Sequence, residues 1–188
     1  MNKDEALAQV KEKLTAHRYT HTLGVKETAI SLAKQIGVDS EKAEWAAILH
    51  DYAKFRPKEE MKTIILGEGL DPDFISYGEE LLHAPAGACL VRDELGISDA
   101  DILRAIMWHT TGKKGMDGLE KVVFLADYIE PNRNFPGVNA VREEAEKDID
   151  RAVILALSNT ISFLLKKSQP VFPKTLEAYN DLIMTKHK

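Results

Sequence analysis

Signals that start and stop α-helices recur along the 188 residues of the chain, and no stretch shows the polar–apolar alternation of a β-strand. Gly37 is a stop signal after the second helix, and Ser98 with Asp101 resembles a capping box. Pro85 is expected to kink its helix or to start a new one. The predicted helices occupy 4–15, 20–35, 41–55, 57–66, 77–94, 102–109, 119–129 and 148–167, with a further start at Asp71-Pro72 and a last helix from Pro173. We therefore expect an all-α fold in a single domain covering residues 1–188.

Composition narrows the class of protein. Apolar residues make up 44% and charged residues 29% of the chain, a balance typical of globular proteins. The net charge of −5 argues against binding DNA or RNA, whereas a small polyanion is compatible with a local metal ion and a few cations. The single cysteine, Cys89, excludes an intramolecular disulfide. Neither a signal peptide nor an apolar run of about 20 residues is present, so we expect a cytoplasmic protein without a membrane anchor.

The most informative segment is AAILHDYAK, which sets His50 and Asp51 into an apolar stretch. Burying an ionised carboxylate is costly unless it is paired or binds a cation. Adjacent helical residues diverge by about 100°, so one ion between these two side chains can take both as ligands. The alternative is a core histidine beside an aspartate that faces solvent.

A second carboxylate, Asp127, lies in the segment KVVFLADYIEP. A helix that is apolar on nearly every side is buried, and an aspartate within it needs a partner. The partner is either a metal ion or, in the alternative interpretation, an arginine or a helix N-terminus. This residue favours a buried polar site that joins two predicted helices.

His21 supplies another nitrogen donor near the start of the second predicted helix. Gly24 and Val25 follow it at three and four positions, so this face offers little bulk to obstruct an ion. The alternative is a surface histidine at a helix start. Nitrogen and oxygen donors without thiolate suit Fe, Mn, Co, Ni or Zn, and an octahedral ion would keep two positions for water and substrate. The predicted ligands of a hydrolytic metal centre are His21, His50, Asp51 and Asp127.

The order of these residues resembles that of the HD-domain metal-dependent phosphohydrolases. Six blocks between residues 18 and 180 are similar to the bacterial YqeK-type family, whose members are symmetrical bis(5′-nucleosyl)-tetraphosphatases: RYTHTLGV, AAILHDYAK, LLHAPAGA, MWHTTG, FLADYIEPNR and PVFPKTLEAYN. The resemblance implies a single HD-domain helical bundle and an iron-type ion, with Mn or Co as alternatives, held by the four predicted ligands. It also implies a substrate of two nucleosides joined by four phosphates.

Several cations and histidines flank the ligand segments. Lys54 is four residues after His50, Arg18 is three before His21, and Arg133 lies just past the Asp127 helix. Each alone is compatible with a solvated cation, but together they favour phosphate binding. His83 and His109 would bind either a second metal or substrate phosphate, and the resemblance favours phosphate and one metal.

The C-terminal segment Pro170-Val171-Phe172-Pro173-Lys174-Thr175 is compatible with an anion site, because Pro173 suits a first helical turn with free amides. The alternative is a connector before a docking helix, whereas the resemblance places the segment in the nucleotide pocket. The residues predicted to bind substrate are Arg18, His21, Asp51, Lys54, His83, His109, Asp127, Arg133 and all six of this segment. Those assigned to catalysis are Asp51, which orients the water proton, and Lys54, His83 and His109, which with Arg133 offset phosphoryl charge.

The expected reaction is cleavage of diadenosine tetraphosphate into two ADP through a metal-activated water. The alternatives are another HD reaction, namely that of a nucleotidase, a triphosphohydrolase or a guanosine pentaphosphate pyrophosphatase, or a non-catalytic nucleotide-binding module. The expected partners are the dinucleoside tetraphosphate and its nucleoside diphosphate product. A second copy of the chain, in a homodimer, is compatible with the acidic helical surface.

Overall fold

The fold is known from a computed structural model, which describes residues 1–186 and contains no strand in that range. The all-α prediction is confirmed. None of the described helices is long and apolar enough to cross a membrane. The predicted site residues all fall in this range, whereas His187, a histidine among polar neighbours, lies outside it. The helices are α1 Lys3–Lys13, α2 Ala16–Ile36, α3 Ser40–Leu49, α4 Lys58–Gly67, α5 Asp73–Ser76, α6 His83–Leu95, α7 Ala100–Trp108, α8 Gly118–Ile129, α9 Val138–Ala145, α10 Ile149–Lys166 and α11 Pro173–Lys186.

Local hydrogen bonds explain where the site-bearing helices begin and end. The Thr15 side chain caps α2 at its N-terminus, and Gly37 ends that helix in the left-handed conformation with φ 73°, as predicted. The Asp39 side chain accepts hydrogen bonds from two amides at the start of α3. Asp117 and Glu120 form a capping box at the start of α8. Short polar side chains therefore fix the register of the helices around the site.

Two predicted boundaries near the site are wrong. Helix α3 ends at Leu49, and residues 50–55 form turns rather than helix. Asp99, not Ser98, caps α7, because the Asp99 side chain accepts from the amides of Asp101 and Ile102. The first error comes from extending an apolar pattern into the turns after Leu49, and the second comes from a capping-box spacing that points one residue too early.

The predicted helix 77–94 is interrupted, and one helix was missed. The structure has a 3₁₀ turn at Glu79–Leu81 and then α6, in which Pro85 is the third residue. A proline in the first helical turn needs no amide partner, so it causes no kink. Helix α9 has no counterpart among the predicted helices.

Helix α8 is the centre of the packing. It contacts α2, α3, α7, α9 and α10, while α7 also packs against α3 and α6. Val122, Val123, Leu125 and Ala126 of α8 are fully buried. Helix α8, which carries Asp127, therefore packs directly against α2, α3 and α7, and α6 is linked to it through α7.

Leu125→Ala tests this central role. Leu125 is fully buried two residues before Asp127, so we expect the free energy of unfolding to fall by about 2–5 kcal/mol in urea denaturation. Leu66→Ala, at a position 62% exposed on α4, is the matched control and should change it by less than about 0.5 kcal/mol. Equal losses in the two variants would contradict the packing.

Candidate metal centre

Three of the buried histidines are oriented by their own backbone. His50 follows the end of α3, His109 follows the end of α7, and His83 is the first residue of α6. In each, Nδ1 donates to the carbonyl oxygen three residues earlier, at 2.6 Å for His50, 2.8 Å for His83 and 2.7 Å for His109. A carbonyl only accepts, so Nδ1 carries the proton in all three rings. Their Nε2 atoms are thereby directed toward a common centre, and in the neutral form of the ring each Nε2 carries a lone pair.

The four predicted metal ligands lie together at this centre. His21 Nε2 is 2.9 Å from Asp127 Oδ1, and His50 Nε2 is 3.9 Å from the same oxygen. Asp51 Oδ2 is 3.2 Å from His50 Nε2 and 3.8 Å from His21 Nε2. Donor atoms of His21, His50 and Asp127 all lie within 4.8 Å of one another. Helices α2 and α8 and the turn after α3 thus bring two nitrogens and two carboxylates to one point.

These donors fit a divalent metal ion. His21 Nε2, His50 Nε2 and both carboxylate oxygens of Asp51 are buried, and none has a hydrogen-bond partner in the described part of the chain. Arg18 Nε lies 2.5 Å from Asp51 Oδ2 but is not aligned for a hydrogen bond. Buried polar atoms without partners are destabilising, and a cation held by all of them removes that cost. Two imidazoles and two carboxylates are donors that first-row transition metals accept.

Both aspartates are held ionised. Burial alone would raise the pKa of Asp51, but His50 and then His83 outweigh it and hold that pKa well below its usual range. Burial alone would also raise the pKa of Asp127, but the nearby His21 ring and the charge of Arg133 outweigh it and lower that pKa well below its usual range. The centre therefore carries two buried negative charges at neutral pH, which a bound cation offsets.

His83 and His109 form a second pair that adjoins the first ligands. Their Nε2 atoms are 3.1 Å apart, and Asp51 Oδ1 is 3.2 Å from His83 Nε2. Burial, with the nearby His50 and His83, lowers the pKa of His109 to about 3, so its ring is neutral. A second group of metal-type donors consists of His50, Asp51 and His109. Because this group shares His50 with the first, the two form one continuous site.

Thr110 adds a hydroxyl that the sequence analysis missed. Its Oγ1 lies 3.1 Å from His109 Nε2 and 3.4 Å from His83 Nε2. The block MWHTTG contains it, but nothing in the spacing distinguishes it from the next threonine. The hydroxyl has one proton, which it can donate to either of two nitrogens that would otherwise face each other lone pair to lone pair.

His21 is oriented by a carboxylate instead of by its own backbone. Its Nδ1 is 3.0 Å from Oε1 of Glu130, which is 1% exposed. A Cβ on Gly24 would lie 2.2 Å from Glu130 Oε2. The expectation was that the absent side chain of Gly24 leaves room for an ion. This is corrected, because the space at Gly24 is occupied by the Glu130 carboxylate. Glu130 was missed, although its position three residues after Asp127 is a usable signal.

Two arginines organise the segment after α8. Arg133 bonds Asp127 twice, from Nη2 to Oδ1 at 2.7 Å and from Nε to the backbone oxygen at 3.0 Å. Arg142, on the missed helix α9, donates to the backbone oxygens of Ile129, Glu130 and Arg133 at 2.8, 2.7 and 2.8 Å. Asp127 thus has an arginine partner, as the alternative interpretation proposed, and a histidine partner as well. Helix α9 fixes the loop that presents Glu130 and Arg133.

Lys54 lies beside the centre, but it does not share a helix with His50 as predicted. It follows the turn after α3, so the argument from helical spacing to His50 is wrong. Its Nζ donates to Glu80 Oε2 at 3.2 Å, and the backbone oxygen of Glu80 accepts from His83 Nδ1. Lys54 therefore lies on the His83 side of the site.

A cavity of about 490 Å³ borders the same side. Glu80, Thr110 and Thr160 line it, together with Pro170, Phe172 and Thr175 of the C-terminal segment. Helix α11 begins at Pro173, as predicted. The structure thus brings part of the predicted nucleotide-binding segment next to the His83–His109 pair.

Aromatic packing and an ion pair hold the C-terminal segment in place. Phe172 is 3% exposed and stacks on Phe74 with ring centroids 5.0 Å apart. Lys174 Nζ lies 3.4 Å from Asp71 Oδ2, while Val171 and Pro173 are half-buried beside Phe172. Phe172 therefore anchors the segment in the core, and Lys174 ties it to the loop before α5.

Comparison with known proteins agrees with this helical fold and its metal-type donors. The HD domain model matches residues 18–132, which include the four predicted ligands. A Halalkalibacterium halodurans protein named symmetrical bis(5′-nucleosyl)-tetraphosphatase is 59% identical over 98% of both chains. A Bacillus subtilis protein of that name is 58% identical over 97% of this chain and 98% of its own. A Clostridium acetobutylicum crystal structure, described as a predicted HD superfamily hydrolase involved in NAD metabolism, superposes with a TM-score of 0.94, at 40% identity over 98% of both chains.

Fold, donor set and sequence together define an α-helical protein of the metal-binding HD type. The chain belongs to the HD domain family. Its similarity to the tetraphosphatases extends over nearly the full length of both chains and includes the C-terminal segment beyond the matched domain.

Glu130→Gln tests the orienting role of the buried carboxylate. Removing its charge weakens the hydrogen bond to His21 Nδ1, so we expect metal affinity to fall by roughly 10- to 100-fold. The measurement is a titration of Mn²⁺ against a competing chelator. Glu143→Gln, an exposed glutamate on α9, is the matched control and should bind Mn²⁺ as the unmodified chain does. Equal affinities of the two variants would refute the role.

Proposed function

We propose that the protein is a metal-dependent hydrolase that cleaves diadenosine tetraphosphate symmetrically into two ADP. The observation that carries the proposal is the cluster of buried His and Asp donors without hydrogen-bond partners, flanked by Arg18, Arg133 and a cavity beside His83 and His109. Relatives of nearly equal length that bear this activity in their names support the substrate.

The metal would be held by His21, His50, Asp51 and Asp127, and we propose iron, with manganese or cobalt as alternatives. A metal ion bound there supplies a Lewis acid and lowers the pKa of a coordinated water. The orienting contacts of His21 with Glu130 and of His50 with a backbone carbonyl hold both Nε2 atoms as unprotonated donors.

Asp51 is the residue that we assign to the water proton. Its carboxylate is fully buried, is held ionised, and has two oxygens without hydrogen-bond partners in the described residues. Water attacks the second phosphorus from one nucleoside, the bridging P–O bond to the third phosphate breaks, and ADP departs. Asp51 orients the water and accepts its proton.

Cationic and hydrogen-bonding groups around the centre would hold the phosphates. Arg18 and Arg133 already contact Asp51 and Asp127, and Lys54 lies on the His83 side. At this pair, an Nε2 that carries a proton would donate to a phosphoryl oxygen. We propose that this pair binds phosphate and offsets the charge that develops on the leaving group.

Three other sequence-based expectations stay predictions: one domain covering residues 1–188, a cytoplasmic location and a homodimer. The nucleotide pocket is proposed to include all six residues of the C-terminal segment, with Pro170, Phe172 and Thr175 lining the cavity beside Thr110.

Product analysis tests the substrate. Metal-loaded protein incubated with diadenosine tetraphosphate should yield ADP as the only product in ion-exchange chromatography. ATP with AMP would instead indicate asymmetric cleavage. Turnover of ATP, GTP, AMP or guanosine pentaphosphate without cleavage of the dinucleotide would favour another HD reaction. Metal binding without turnover of any nucleotide would favour a non-catalytic module.

His50→Ala and Asp127→Asn test the ligand assignment separately. Each removes one donor from a buried centre, so we expect both to lose most of the bound metal and activity, with helicity retained in circular dichroism. His17→Ala, which removes an exposed histidine on α2, is the control and should keep its metal. An inactive variant with a full complement of metal would contradict the assignment.

A further inference from the structure

We propose that a second cavity, on the Asp127 side of the centre, binds the other nucleoside of the substrate. This inference rests on the proposed function. The cavity measures about 660 Å³ and is large enough for a purine nucleoside. Its lining includes Tyr128, Arg133, Phe135, Asn159, Phe163 and Lys166.

The two cavities border the centre through different residues. The cavity of about 490 Å³ borders it through Thr110, next to the His83–His109 pair. The cavity of about 660 Å³ borders it through Arg133, whose guanidinium bonds Asp127. Both lie along α10 and share Thr160 in their linings. One cavity thus adjoins the centre at His109, through Thr110, and the other adjoins it at Asp127, through Arg133.

Symmetrical cleavage gives two equal halves that such an arrangement can bind. The bond that breaks lies between the second and third phosphates, so an identical nucleoside diphosphate extends from each side of the reacting phosphorus. A single pocket would hold one of these halves and leave the other in solvent. Two cavities flanking one centre place the middle of the phosphate chain, not its end, at the ligands.

The lining of the second cavity suits a base and its phosphates. Tyr128 and Phe135 meet edge to face with centroids 5.0 Å apart, and Phe163 is 54% exposed on α10. Purines stack on exposed aromatic rings without needing base-specific contacts. Arg133, which bonds Asp127, and Lys166 add positive charge to the same lining. An exposed phenylalanine beside two cations is the chemistry that recognises a nucleotide.

Phe163→Ala is the test, with Leu165→Ala as the matched control. Leu165 is 64% exposed on the same helix, but it does not line the cavity. Loss of one stacking ring should raise KM for diadenosine tetraphosphate roughly ten-fold, with kcat changed less than about two-fold. Adenosine 5′-tetraphosphate has one nucleoside, which the other cavity accommodates. Its Ki against diadenosine tetraphosphate hydrolysis should therefore stay within about two-fold. Leu165→Ala should leave KM and this Ki unchanged.

The outcomes separate this inference from the proposed function. If the unmodified chain does not form ADP from diadenosine tetraphosphate, the proposed function itself fails. If it does, and Phe163→Ala behaves as Leu165→Ala, the second nucleoside site is refuted while the function stands. If Phe163→Ala weakens binding of diadenosine tetraphosphate and of adenosine 5′-tetraphosphate equally, the second nucleoside site is also refuted. If Phe163→Ala changes the mass measured by light scattering but not KM, a second copy of the chain covers the cavity. The second nucleoside site is then refuted.

Discussion

The charges of Asp51 and Asp127 impose the main constraint on this structure, because each needs a compensating partner. Asp51 is fully buried, the side chain of Asp127 is 16% exposed, and both carboxylates are ionised. Buried charges require compensation, and here it comes from histidines, from Arg18 and Arg133, and from the cation that the donor set fits. The surrounding helices bury the charges and, by the same packing, position the groups that compensate them.

The ends of two helices fix the orientation of the histidine rings that follow them. His50 and His109 each follow the last residue of a helix, where a carbonyl oxygen three positions back accepts the Nδ1 proton. This local bond selects the tautomer and leaves Nε2 directed at the centre. His21 lies within α2, and its ring is oriented instead by Glu130 from another element. Gly24 has no side chain and so leaves space for the Glu130 carboxylate. Orientation is therefore local at helix ends and tertiary within a helix.

The sequence allowed the fold class to be predicted and His21, His50, Asp51 and Asp127 to be assigned to one cluster, because apolar periodicity and polar residues in apolar segments are local signals. It did not reveal Glu130 or Arg142 in their roles, since each acts on residues brought near by folding. The stop of α3 at Leu49 was missed because the apolar pattern continues through the following turns. Lys54 was consequently assigned to the site by a helical spacing that the structure does not contain.

The central claim is that one metal ion is held by His21, His50, Asp51 and Asp127. An anomalous difference map from crystals of the protein loaded with Mn²⁺ or iron tests it most directly. The account predicts one strong peak in contact with donor atoms of all four residues, with Glu130 still bonded to His21. A peak confined to the space between His83 and His109, with none at these four residues, would contradict it.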